Sequence, residues 1–300
     1  MVFVKVQSRS GEVLAEKLDI DGETVLDLKK AFQKKFPKFY PDRQRLTIDK
    51  KVLYDKDTLE QHEIKDNTVI TFKDLGPQIS WRNVFIVEYF GPLFIHPLFY
   101  FGSKLFYKGA TGEHTPVQKI CFLFIMIHFL KREFETVAIH RFSNNSMPVK
   151  NIFKNSFHYW VLSGINMAYW IYRPGFTSGH IPAFTSTVGM AFCCILWVYS
   201  EVSNLLTHII LRNLRPAGTR VRKIPYGYGF NIVTCPNYFF ETLAWLAICL
   251  LTGSISSWLF TIVAFAQMYE WAVKKRRNYI KEFGDAFPKD KRTAIIPFLL

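Results

Sequence analysis

Ionisable side chains are sparse in the carboxy-terminal three quarters of the chain, and those that interrupt its apolar stretches include Glu88, His128, Arg132, Glu133, Glu135, Glu201, His208, Glu241 and Glu270. A charge inside an apolar span is costly and usually functional. At 100° per residue, Glu201, Asn204, His208, Arg212 and Arg215 fall within a helical sector of roughly 80°. His128, Arg132 and Glu135 form a second stripe, and Asn237 with Glu241 and Lys275 with Tyr279 are each one turn apart. Several such stripes must face one another or a hydrated cavity, because lipid offers them no partner. Two chemistries fit: interhelical ion pairs that brace a bundle, or a polar pocket for an anionic ligand. Arginine suits bidentate contact with phosphate, which favours the pocket. The sequence has neither GxGxxG nor GxxxxGK[ST], so a nucleotide would not bind through a Rossmann or P-loop turn.

The elements that must carry these residues are membrane helices. The chain has 300 residues, of which 49% are hydrophobic and 17% aromatic. That excludes a disordered chain, a collagen or a coiled coil, and is too apolar for an ordinary soluble protein. The five cysteines, Cys121, Cys193, Cys194, Cys235 and Cys249, have no CxxC or His-paired spacing, so neither a disulfide scaffold nor a metal site is expected. Apolar stretches approaching or exceeding the roughly 20 residues of a bilayer crossing run over 81–107, 117–139, 157–172, 185–211 and 238–272. The last is long enough for two helices turning at Thr252-Gly253-Ser254, and the first can break at Gly91-Pro92 and Pro97. The expected fold is therefore an α-helical multi-pass membrane bundle of six or seven transmembrane helices. Trp81, Trp160, Trp170, Trp258 and Trp271 fall near span ends, as aromatic belts do. The basic clusters of 212–223 and 274–277 place those ends in the cytoplasm by the positive-inside rule.

Residues 1–76 differ. They hold 15 Lys and Arg against 14 Asp and Glu, whereas 77–300 hold 23 against 10 of the chain's net +14. The first residues alternate and are interrupted by Lys5, unlike a signal peptide. Val2–Val6 reads as a strand, Ser8–Gly11 as a turn and Glu12–Leu18 as a second strand. Thr24 caps a helix over Val25–Phe36, and short strands follow near Arg45–Ile48, Val52-Leu53 and Thr68–Phe72. This is the order of an α+β β-grasp domain. The segment resembles ubiquitin in Arg43-Gln44-Arg45-Leu46, the Lys50–Leu53 turn and Asp57-Thr58-Leu59. It lacks the Gly-Gly tail of conjugation, so it is expected to dock partners or to cap the protein on the cytosolic side, without catalysis.

Three further runs carry a family resemblance: Leu211-Arg212-Asn213-Leu214-Arg215-Pro216-Ala217-Gly218, then Lys223-Ile224-Pro225-Tyr226-Gly227, then Cys235-Pro236-Asn237-Tyr238-Phe239-Phe240-Glu241. With Tyr279–Phe283 and the ending Ile296-Pro297-Phe298-Leu299-Leu300, they resemble the carboxy-terminal domain of the steroid 5α-reductase family. Asp74–Trp81, Glu88–Leu93 and His140-Arg141-Phe142-Ser143 resemble the branch of that family that reduces very-long-chain trans-2-enoyl-CoA. The likeness covers essentially the whole chain. It implies an NADPH-dependent reduction of the 2,3 double bond of an acyl-CoA, the last step of a fatty-acid elongation cycle, in the endoplasmic reticulum membrane beside other elongation enzymes. It implies no nucleic acid partner.

By the same resemblance, Asn204, Arg215, Lys223, Asn237 and Glu241 contact NADPH, with Arg132, His208, Arg212 and Tyr279 contributing. Tyr238 and Glu88 take catalytic positions. The 212–223 loop would hold the adenosine phosphates, and the acyl tail would lie between apolar helices. Two positions depart from the family: Phe129 replaces a frequent tyrosine, and Arg276 a common histidine. Three rivals stay open: a steroid or polyprenol reductase of the same fold, a membrane methyltransferase, and a non-catalytic scaffold.

Overall fold

A computed structural model describes residues 2–142, 146–176, 182–216, 219 and 221–299. Ala217 and Gly218 of the Arg-Pro-Ala-Gly run, Ser143 and Leu300 lie outside the described residues. The chain forms two compact units, residues 1–81 with 144–151, and residues 82–143 with 152–300.

In the first unit, β1 (Val2–Ser8) and β2 (Val13–Ile20) form an antiparallel hairpin. The helix α1 (Val25–Lys35) follows, then β3 (Gln44–Ile48), β4 (Lys51–Val52) and β5 (Thr68–Asp74). The sheet order β2-β1-β5-β3-β4, with β1 and β5 parallel, is that of a β-grasp. Alternation explains which residues go inside: Val4, Val6, Leu46 and Ile70 are fully buried against Leu28 and Phe32 of α1. Thr24 and Asp27 form a reciprocal capping box, and the Thr24 bonds hold the Asp27 carboxyl below its ordinary value. Arg43 donates two bonds to Asp74, at 2.9 and 2.5 Å, which likewise depresses the Asp74 carboxyl. A short strand β6 (Gln78–Ser80) pairs with β7 (Ser146–Pro148).

The second unit is helical. It comprises α2 (Trp81–Phe101), the single turn α3 (Ser103–Phe106), α4 (Pro116–Phe134), α5 (Asn151–Ser156), α6 (Met167–Ile171), α7 (Thr187–Leu214), α8 (Pro236–Thr252) and α9 (Ile255–Phe283). Among the described residues, α2 and α7 are long and apolar enough to cross a membrane by themselves. Their outer faces are bare and greasy: Phe90, Phe94, Leu98 and Phe101 on α2, and Phe192, Ile195, Val198, Val202 and Leu206 on α7.

Local chemistry explains the breaks and their absence. Gly253 adopts φ 58°, the left-handed cap that ends α8 and starts the turn into α9. By contrast α2 does not break at Gly91-Pro92 or Pro97; it runs through all three. Gly91 serves packing instead, since a Cβ there would stand 2.2 Å from the Trp160 ring, whose Nε1 donates to the Val87 carbonyl. Trp160 is thus a bundle contact. Two stretches widen into π-helix, Glu135–Ile139 after α4 and Phe157–Asn166 between α5 and α6.

Candidate active site

The polar stripes converge. From α4, His128 Nδ1 lies 2.7 Å from Glu201 Oε1 and its Nε2 lies 3.3 Å from Glu241 Oε1. An imidazole with a carboxylate at each nitrogen can donate to both only as imidazolium. Lys131 Nζ donates to Asn204 Oδ1 at 2.6 Å and lies 2.7 Å from Glu201 Oε2. Asn204 passes its amide on to the Asn237 carbonyl (2.9 Å) and to Glu241 (3.1 Å). Three helices, α4, α7 and α8, are thereby joined through side chains that are nearly all buried.

A second cluster begins where α4 widens. Glu135, with no exposed surface, receives Arg132 Nη1 at 2.7 Å and faces His208 Nδ1 at 3.1 Å. The other guanidinium nitrogen of Arg132 donates to the Tyr89 hydroxyl at 2.9 Å. Glu135, His140 and His208 bring ligand-type atoms within 4.8 Å of one another. The Arg132 guanidinium already bonds this carboxylate and stands 3.5 Å from His208, so a fixed cation of the chain's own is part of the group.

The residues singled out in the sequence do not all fall in one place. Arg132, Asn204, His208, Asn237 and Glu241 belong to this network. Arg215 and Arg212 sit at the end of α7: the Arg215 guanidinium donates to the Arg141 carbonyl at 2.8 Å, and the Arg141 guanidinium returns bonds to the carbonyls of Arg212 and Arg215. Lys223 is exposed, in the loop that Tyr228 ties to Ser203 of α7 at 2.7 Å. Tyr279 is buried against Phe287, ring centroids 5.5 Å apart, away from the network's hydrogen bonds.

Tyr238 and Glu88 both lie close enough to Arg132 for its charge to act on them. Glu88 is 2% exposed, is bonded to Asn155 and makes no ion pair among the described residues; its Oε2 has no hydrogen-bond partner. Tyr238 packs toward α9, its ring 6.2 Å from Trp271. Asn237 is 6% exposed and its Oδ1 is also unpartnered. Such orphaned buried acceptors cost free energy unless something else supplies the donor.

Sequence reading put Glu135 and Glu201 on the polar stripes but not their partners, and missed that Lys131 pairs with both. It also missed that Tyr89 and Tyr159 flank Phe129, at 6.2 and 6.0 Å between centroids, so phenols surround the position where a hydroxyl was missing. Arg276 bonds the carbonyls of Arg292 (2.9 Å) and Lys289 (2.6 Å) and so ties down the carboxy-terminal segment. That segment in turn receives the backbone N–H of Thr234 and Cys235, just ahead of Asn237 and Tyr238.

The structure thus combines an apolar helical bundle, charged side chains and unpartnered acceptors in its interior, and a β-grasp domain, the make-up expected of a membrane enzyme with an added small domain. Comparison with known proteins makes the class specific. The sequence model of the family described as 3-oxo-5-alpha-steroid 4-dehydrogenase matches residues 145–300, and that of the ubiquitin family matches residues 2–72. A Dictyostelium discoideum protein named very-long-chain enoyl-CoA reductase is 41% identical over 311 aligned residues, covering 100% of both chains. "Probable very-long-chain enoyl-CoA reductase art-1" of Caenorhabditis elegans is 41% identical over 93% of this chain and 92% of its own. A mouse protein named trans-2,3-enoyl-CoA reductase-like is 31% identical over 92% of this chain and 78% of its own. The chain belongs to the 3-oxo-5-alpha-steroid 4-dehydrogenase family, in company with its enoyl-CoA reductases.

Proposed function

We propose that the protein reduces the 2,3 double bond of very-long-chain trans-2-enoyl-CoA with NADPH, giving the saturated acyl-CoA that closes a fatty-acid elongation cycle. The observation that carries this is the full-length likeness to a protein named for that reaction, joined to a buried polar network on the matching helices. The site fits a nicotinamide dinucleotide: the unpartnered Oδ1 of Asn237 suits a carboxamide N–H, and Arg215, Arg212 and Lys223 at the bundle's basic end suit phosphates. Asn204 bonds both the Asn237 carbonyl and Glu241, Arg132 and His208 would contact the ligand within the network, and Tyr279 would do so from beside Phe287. When bound, NADPH supplies a hydride.

The chain's own residues supply the rest. As the double bond is reduced, negative charge develops on the thioester oxygen and C2 requires a proton. Tyr238 is the donor: a phenol, with an ordinary pKa of ~10, keeps its proton at neutral pH without carrying a buried charge. Glu88, held by Asn155, orients the substrate. The bare outer faces of α2 and α7 let an acyl tail share lipid, so the protein need not enclose it. The reaction would take place in the endoplasmic reticulum membrane with the basic ends of α7 and α9 in the cytoplasm, beside the enzymes that supply the enoyl-CoA.

The family description names an oxosteroid, so the same bundle is also to be tried against a 4-en-3-oxosteroid. Detergent-purified protein should oxidise NADPH when given a long-chain trans-2-enoyl-CoA and not when given the steroid. Oxidation with the steroid alone would reverse the assignment.

A further inference from the structure

Lys275 lies within α9 and has no carboxylate within 4.0 Å among the described residues, unlike Lys131, which has two, from Glu135 and Glu201.

 Lys275 nonetheless sits on an inward face. Met268, Ala272 and Tyr279, which precede it by seven and three residues and follow it by four, are all buried, and Lys275 itself is half-buried. Tyr238 packs on this same face: it shares a cluster with Met268 and Ala272, and its ring lies 6.2 Å from that of Trp271, one turn before Lys275. The groups that act on the ammonium are Cys235 and Tyr238 at the start of α8, Tyr279 on α9, and the Arg215 cation. Those that act on the phenol are Lys275, Cys235, Arg132 and Glu241. A partly desolvated ammonium with phenols for neighbours and no anion is uncompensated in the resting state.

We infer that Lys275 is a positioning residue for proton delivery, its ammonium stabilising the phenolate left when Tyr238 gives up its proton. This rests on Tyr238 being the donor. In that step the Tyr238 O–H bond breaks and its electron pair stays on the phenolate oxygen. The enolate's pair takes the proton to form the new C–H bond at C2, and the phenolate recovers a proton from water before the next cycle. A charge that appears only during the step is where a fixed cation lowers the barrier, because it gains nothing comparable from the neutral phenol.

The test uses the full-length protein in detergent with NADPH and a long-chain trans-2-enoyl-CoA. Lys275→Met should lower kcat on the order of 10²-fold, leave the NADPH dissociation constant within about twofold, and raise the solvent deuterium isotope effect on kcat. Lys275→Arg, which keeps the charge, should recover most of the rate. Adding Lys275→Met to Tyr238→Phe should cost no further rate, since the two act as one unit. Lys275→Gln provides the same comparison should the methionine variant not fold. Wild-type kcat in Lys275→Met, or a loss explained by weaker NADPH binding, overturns the inference. If Tyr238→Phe is inactive while Lys275→Met is not, only the role of Lys275 falls. If Tyr238→Phe turns over normally, the donor assignment falls and this inference with it.

Discussion

Removing the charge of Glu135 is the sharpest probe of the buried network. Its carboxylate has no exposed surface and is approached by Arg132 Nη1 at 2.7 Å, His208 Nδ1 at 3.1 Å and Lys131 Nζ at 3.7 Å. Glu135→Gln keeps the shape and leaves that positive charge without its anion. Breaking a buried ion pair from one side costs about 3–5 kcal/mol. At about 2–4 °C per kcal/mol for a domain of this size, the apparent Tm should fall by roughly 6–20 °C. Tryptophan fluorescence during heating in detergent reads this directly, because Trp160, Trp197 and Trp245 lie in or against the bundle's core. Glu12→Gln, at an exposed position, serves as a control with a change within about 0.5 kcal/mol. Adding Arg132→Met to Glu135→Gln should recover part of the loss, since both charges are then gone. A fall of less than about 2 °C in the single variant would mean that water already compensates these charges, and the network would not be the dry, paired structure described above.

Arg215→Ala should raise the NADPH dissociation constant by about tenfold or more, the worth of a charge-assisted hydrogen bond; an unchanged value in a fluorescence titration removes Arg215 from the phosphate site. Gly91→Ala drives a methyl into the Trp160 ring, 2.2 Å from the nearest ring atom, and should cost about 1–3 kcal/mol in thermal unfolding; an unchanged Tm would show that the indole moves aside freely. In the β-grasp domain the Arg43 bonds hold the Asp74 carboxyl below its ordinary value, so the charged form is favoured by folding. That stabilisation is complete above the unfolded carboxyl's pKa of about 3.9 and is lost as the pH falls through the lower folded value. Hydrogen exchange of the β3 and β5 amides should therefore quicken on acidification below about pH 4 in the wild type, and less steeply in Asp74→Asn; equal slopes would refute the pair's role.

Much of this protein is legible in its sequence because local rules act without interference. Alternation places Val4, Val6 and Ile70 inside, and the Thr24 cap starts α1 where the capping residues predict. The helical wheel correctly gathers Glu201, Asn204 and His208 on one face of α7, since a 3.6-residue repeat is a property of the backbone. What is not legible is pairing across helices. His128 meets Glu201, and Lys131 meets Asn204, each 73 residues apart in the chain, and no spacing rule reaches that far. The π-helical stretches also escape, because a widened turn shifts every later side chain off the expected face; Glu135 and Tyr159 lie in these stretches. Proline misleads for a different reason. Pro92 and Pro97 signal breaks, yet α2 passes through them, as neighbouring helices can satisfy the carbonyls that proline frees. Arg276 shows the same limit at the site's edge, where its partners are backbone carbonyls of residues that any sequence could supply.

The central claim is that the buried charges cradle a reduced dinucleotide and that Tyr238 completes the reaction with a proton. The most direct measurement compares wild type and Tyr238→Phe for NADPH affinity and for NADPH oxidation driven by a long-chain trans-2-enoyl-CoA. The account predicts unchanged affinity with turnover lost by at least about 10²-fold. Normal turnover in the phenylalanine variant, or no NADPH binding by the wild type, would contradict it.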